Sequence, residues 1–116
     1  MTLDDIIQMT IQSQLKQADV DAFCEQEQTT IEAFCDDFAC NIAIGYITGR
    51  FSYESADSAI ADLHNHFFAE GLPPFALSLY LAFDLAEYRR TQGLNGDEIA
   101  RPLVKKILED RHESAA

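Results

Sequence analysis

The stretch "FALSLYLAFDLAEYRR", residues 75–90, decides the fold. Phe75, Leu77, Leu79, Leu81, Phe83 and Leu85 alternate as apolar residues do along a half-buried strand. The run is long for a strand, is rich in Ala and Leu, and holds no Val, Ile or Thr, which favours a helix. Pro74, just before it, suits the first turn of a helix. Read as a helix, the segment is apolar almost all round and is expected at the centre of the fold.

The neighbouring segments read in the same way. Downstream, "GLNGD" is a turn, and Pro102 fits the start of a last helix with Leu103, Val104, Ile107 and Leu108 turned inward. Upstream, Gly71 and "LPPF" close a helix capped by Ser52, whose Tyr53, Ala56, Ile60, Leu63 and Phe67 recur at three and four residues. Before that, Asp19 can cap a segment with Val20, Phe23, Phe34, Phe38 and Ile42 on its apolar side. That segment, 19–48, is either one long helix or two broken near Thr29, where Thr29 and Glu32 form a capping box. Gly49 suits its C-terminal end, and Gly45 inside it calls for close packing against a neighbouring helix. At the N-terminus, Thr2 and Asp5 form a capping box for a helix carrying Leu3, Ile7, Ile11 and Leu15 and ending near Gln17. The prediction is one all-α domain over 1–116, a compact bundle of about five helices with a central apolar helix at 75–90.

Composition narrows the function. Twenty acids stand against eight bases, a formal charge of −12. That balance opposes direct nucleic-acid binding and docking on an anionic membrane, and it favours a basic partner. The longest apolar stretch, Phe75–Phe83, is too short to cross a bilayer. "MTLDDIIQMT" has no basic region and reads as a cytoplasmic start. The charge is uneven. Residues 17–70 hold eleven acids and one base, whereas residues 88–116 hold six bases and five acids.

Motifs for chemistry are weak. In "FCDDFAC", residues 34–40, Cys35 and Cys40 point about 140° apart on a helix and cannot share a metal or a disulfide. Cys24 lies about 16 Å from Cys35 along a continuous helix, so packing is the expected role of these thiols. In "DLHNHFF", Asp62 and His66 sit at i and i+4 while His64 points elsewhere, which leaves at most two ligands. Asp84 and Glu87 interrupt the apolar helix, and Asp84 is expected either to face the rim of the bundle or to pair with Arg89, Arg101 or Lys105 as a structural contact. No nucleophile elbow or phosphate loop occurs, and no catalytic residue, cofactor or metal is expected.

The acids carry the functional expectation. On a continuous helix Asp21, Glu25, Glu32 and Asp36 fall within about 60° of one another, with Asp37 beside them. If the helix breaks at Thr29, Glu32 and Asp36 still stack at i and i+4. Stacked like charges destabilise a helix, and no Lys or Arg occurs from Gln17 to Gly49, so a partner is expected to supply the positive charge. The plainer alternative is a solvated acidic face.

"TGRFSYESADSAIADL", "PPFALSLYLAFDLAEY" and "RPLVKKIL" together resemble small all-helical bacterial proteins, some of which are similar to immunity proteins that neutralise a companion toxin. The resemblance spans roughly residues 48–108 and brings no catalytic residues. It implies a cytosolic binding protein of bacterial type. Taken with the acidic surface, the leading expectation is a non-enzymatic, immunity- or antitoxin-like inhibitor of a basic protein such as a toxin or nuclease, with Asp21, Glu25, Glu32, Asp36 and Asp37 as the charge complements. Two alternatives stand beside it: a phage-derived mimic of nucleic-acid charge, and a homo-oligomeric module, for example a homodimer formed through an apolar stripe. A metal-dependent enzyme built on Asp62, His64 and His66 is a third class.

Overall fold

Thr2 and Asp5 begin the chain's order as their spacing predicts. The Asp5 amide donates to Thr2 Oγ1 at 3.2 Å, and the Thr2 amide donates back to Asp5 Oδ2 at 2.8 Å. Hydrogen bonding from the Thr2 amide, and then from the Thr2 side chain, holds the Asp5 carboxyl below its usual range by favouring its ionised form, and these contacts cap the helix that follows. They open α1 (Leu3–Ile11) in a computed structural model that describes residues 1–12, 14–66 and 71–115, the last three by backbone alone. The other helices are α2 (Gln17–Glu27), α3 (Ile31–Ile47), α4 (Tyr53–His66), α5 (Pro74–Thr91) and α6 (Gly96–Ala115). Among the described residues there are six helices and no strand, one helix more than predicted.

The extra helix comes from the break in 19–48. Gln28 adopts a left-handed conformation, φ +53°, and ends α2. Thr30, not Thr29, then caps α3 by accepting the Ala33 amide at 3.1 Å. Thr29 is still part of the turn, its amide bound to the Cys24 carbonyl at 3.0 Å. The start of α2 also differs from expectation. Lys16 takes the N-cap position, and Asp19 sits three residues in and accepts the Lys16 amide at 3.1 Å. With Gln17 already in α2, α1 ends at Ile11, and Leu15 is buried from the connection between them.

The 75–90 segment is a helix, but it is not the central one. Ala76, Leu79, Ala82, Phe83 and Ala86 form its buried face. Leu77, Leu81, Leu85 and Tyr88 project outward. The central position belongs to α3, which packs against α1, α4, α5 and α6. Its Phe34, Cys35, Phe38, Ala39, Ile42, Ala43 and Tyr46 are all buried. The buried face of α5 is mostly alanine, whereas large aromatic residues on α3 fill the space between several neighbours. Two chains of aromatic contacts run through the core, Phe23–Phe34–Phe38 and Tyr46–Phe83–Tyr53, with ring centroids 5.4–6.0 Å apart.

Gly45 has the close contact its position in a helix requires, but with a loop residue. A Cβ there would lie 2.3 Å from Cδ2 of Phe51. Gly49, at φ +86°, turns the chain so that Arg50 and Phe51 donate their amides to the Gly45 carbonyl at 2.7 and 3.0 Å. Ser52 then caps α4 through the Ser55 amide at 3.1 Å, and Tyr53, Ala56, Ile60 and Leu63 are buried as their spacing predicts. Phe67, the last of that series, lies outside the described residues.

The last helix starts earlier than Pro102. Asn95 Oδ1 accepts the Glu98 amide at 3.2 Å, so α6 begins at Gly96 and Pro102 stands inside it. Val104 is buried and Ile107 and Leu108 are half-buried, but Leu103 is exposed. No helix among the described residues is long and apolar enough to cross a membrane.

Candidate functional site

The break at residues 28–30 divides the expected acidic ridge between two helices. Asp21 and Glu25 lie on α2, and Glu32, Asp36 and Asp37 on α3. Asp21, Glu25, Glu32 and Asp37 are exposed. Asp36 is half-buried and has an internal role. Its Oδ1 accepts the Ala76 amide, at 3.3 Å, in the first turn of α5. The N-cap of α5 is Pro73, whose side chain cannot accept a hydrogen bond, so a carboxylate from α3 satisfies a free amide of that turn.

Among the described residues the remaining acids of this region make no ion pair. The described residues form four ion pairs: Arg50–Asp4, Arg90–Glu87, Arg101–Asp97 and Lys106–Asp110. None includes an acid of α2 or α3. Asp21 accepts only a neutral amide, from Gln17 Nε2 at 3.1 Å. A hollow of about 430 Å³ opens between α1, α2 and α3. Leu3, Phe23 and Phe34 line it together with the carboxylates of Glu27 and Asp37. Glu32 faces away from this hollow, beside Leu72 and Pro73. The acids thus form a broad, two-sided negative surface.

A second cleft, about 540 Å³, lies elsewhere, between the α3–α4 loop and the α5–α6 turn. Two tyrosine–carboxylate–arginine sets stand at it. The Tyr46 hydroxyl donates to Asp97, which also pairs with Arg101 at 3.2 Å, and the Arg101 guanidinium lies 4.7 Å from the centroid of the Tyr46 ring. The Tyr53 hydroxyl donates to Glu87 at 2.7 Å, and the same carboxylate oxygen takes Arg90 at 3.5 Å. Burial, then the hydrogen-bonded carboxylate, raises both phenols well above their usual range, so they act as fixed donors. The two sets fasten the start of α6 to α3 and the end of α5 to α4. Gly96 is needed there, because a Cβ would lie 2.7 Å from the Tyr53 hydroxyl.

Of its two expected placements Asp84 takes the rim, being exposed, while Glu87 takes the structural role and Arg101 pairs with Asp97. Helical periodicity marked Tyr53 as a core residue but gave no sign of its hydroxyl's partner, which is distant in sequence. A buried tyrosine among apolar neighbours was the available signal, since its hydroxyl requires a partner.

Asp57 of α4 is half-buried, with its carboxyl raised to about 6 by burial and then by Glu87 and Asp84, against a smaller opposing effect of Arg90. His64 stacks on Tyr80 with ring centroids 3.9 Å apart. Among the described residues no group of three or more His, Cys, Asp or Glu side chains is placed to hold a metal ion. Cys24, Cys35 and Cys40 form no disulfide among the described residues, and burial raises the Cys24 and Cys40 thiols above the usual range. No protein-family model, curated protein or solved structure matches the chain.

Proposed function

We propose that the chain is a non-enzymatic binding protein whose α2–α3 surface covers a basic site on a partner protein. The kind of partner is a toxin or a nucleic-acid-binding protein, held in the manner of an immunity protein. The observation that carries this reading is the set of exposed acids at Asp21, Glu25, Glu27, Glu32 and Asp37, with no ion pair on either helix among the described residues. Such a surface accelerates encounter with a positive partner and selects against negative ones. The hollow with phenylalanines at its base and carboxylates of Glu27 and Asp37 at its sides suits a lysine or arginine side chain. Asp36 belongs to this surface by position, but its bond to α5 makes it a support for the fold.

The test is capture of the partner on immobilised protein, elution by salt, and assay of the eluted activity with and without added chain. Glu25→Lys combined with Glu32→Lys leaves the internal hydrogen bonds intact and is the control. The reading requires stoichiometric inhibition by the natural chain and an association rate at low ionic strength reduced by about tenfold or more in the double variant. An unchanged rate, or captured protein whose activity the chain does not inhibit, refutes it.

A further inference from the structure

The outer face of α5 is an apolar surface that the proposed function does not use. Leu77, Leu81, Leu85 and Tyr88 are 36%, 53%, 42% and 60% exposed, at spacings of four, four and three. They form one stripe about 16 Å long, directly opposite the buried face of Ala76, Leu79, Ala82, Phe83 and Ala86. Isolated exposed leucines are ordinary, but a continuous stripe on one helix marks a surface that another element covers. Its spacing is that of a helix–helix contact.

The charge beside the stripe indicates what covers it. Asp84 is exposed and lies one turn from both Leu81 and Tyr88, on the edge facing α4. On that edge Asp57 of α4 interacts with Asp84 and Glu87, and Arg90 is the cation among them, already paired with Glu87. Three carboxylates with one guanidinium leave an excess of negative charge alongside an apolar stripe. A second copy of the chain fits poorly. An antiparallel two-fold pair of α5 helices brings the Asp57–Asp84 edge of one copy beside the same edge of the other, and each copy carries a formal charge of −12. We infer that the outer face of α5 docks an amphipathic helix of a partner protein, with its apolar side on Leu77, Leu81, Leu85 and Tyr88 and lysines or arginines along the edge that meets Asp84 and Asp57.

The probe is a synthetic amphipathic peptide of about eighteen residues, the length of α5, with leucines at every third and fourth position and lysines along one flank. Its twin carries glutamates in place of those lysines. Binding is followed by fluorescence anisotropy at physiological ionic strength. The lysine peptide is expected to bind, with its twin weaker by about tenfold or more. Leu81→Ser, a change at an exposed position checked for folding by circular dichroism, is expected to weaken binding by about tenfold. Asp84→Asn is expected to weaken it and to reduce its salt dependence, whereas Glu25→Lys with Glu32→Lys leaves the affinity within about twofold. That last variant separates this surface from the one on α2 and α3. Equal binding of both peptides, binding of neither, or no effect of Leu81→Ser overturns the inference. A dimer in sedimentation equilibrium that Leu81→Ser dissociates also overturns it, by giving the stripe to a second copy.

Discussion

Replacing Gly45 by Ala sets helix propensity against packing, and the two predict opposite signs. Gly in a helix interior is about 1 kcal/mol worse than Ala, so propensity alone predicts that Gly45→Ala stabilises the protein by that amount. The structure predicts a loss. The new methyl would stand 2.3 and 2.4 Å from two carbons of the Phe51 ring. The ring has little room to retreat. The Phe51 amide is bound to the Gly45 carbonyl at 3.0 Å, and the Arg50 guanidinium lies 4.7 Å over the ring. Overpacking of this kind costs about 1–3 kcal/mol, and turning Phe51 out to solvent costs about 2 kcal/mol of burial. The net expectation is a loss of about 1 kcal/mol or more in ΔG of unfolding, read from the urea midpoint at constant m. In a Phe51→Ala background the clash is gone, and Gly45→Ala should then stabilise by about 1 kcal/mol. The reversal of sign is the measurement. A gain in the natural background, or the same effect in both backgrounds, would refute the argument that Phe51 imposes glycine at this position.

Three further outcomes follow from single groups. Asp36→Ala removes the acceptor for the Ala76 amide and should cost about 1 kcal/mol in chemical denaturation, whereas Glu32→Ala, at an exposed position, should cost less than about 0.5 kcal/mol. Asp57 has a folded-state carboxyl raised to about 6, above its unfolded value near 4, so the folded state binds the extra proton in that window. Stability should therefore fall as pH rises from about 4 to about 6, by about 1 kcal/mol after allowance for solvent screening, and Asp57→Asn should remove that fall in urea midpoints measured across the range. Pro102→Ala restores an amide that can bond to the Glu98 carbonyl inside α6 and should raise stability by about 1 kcal/mol or more, seen as a higher melting temperature.

The elements that local chemistry determines were legible in the sequence. The Thr2–Asp5 box, the Ser52 cap, the turn at Gly49 and the helix after Pro74 each depend on residues within a few positions of one another, and all occur as read. What failed was decided by distant contacts or by competition between near-equal signals. Thr29 and Thr30 both offer a capping hydroxyl, and the left-handed turn at Gln28 selects the second. Pro102 suits a helix start, but Asn95 begins the helix a turn and a half earlier and the proline is tolerated inside it. The central place of α3 over α5 was hidden because hydrophobicity counts Leu77, Leu81 and Leu85 as core, whereas the face of α5 that is buried is mostly alanine.

The candidate surface was legible in its charge but not in its division of labour. An acid stripe on a helical wheel treats Glu32 and Asp36 as equivalent, since each is one turn from the other. The fold distinguishes them by what lies opposite. Pro73 and Pro74 begin α5 without a side-chain cap, and Asp36 stands close enough to bind a free amide of that first turn. Asp19 and Asp5 are occupied in the same way at the starts of α2 and α1. Subtracting such acids leaves a smaller set, Asp21, Glu25, Glu27, Glu32 and Asp37, whose charge no ion pair on α2 or α3 offsets. Stacked like charges such as Asp21 and Glu25 cost a helix a few tenths of a kcal/mol per pair in isolation. A binding role therefore predicts that these five can be neutralised without loss of stability, whereas neutralising Asp5, Asp19 or Asp36 unfastens a helix start. Opposite behaviour of the two sets in the same denaturation assay separates the acids the fold uses from the acids it does not.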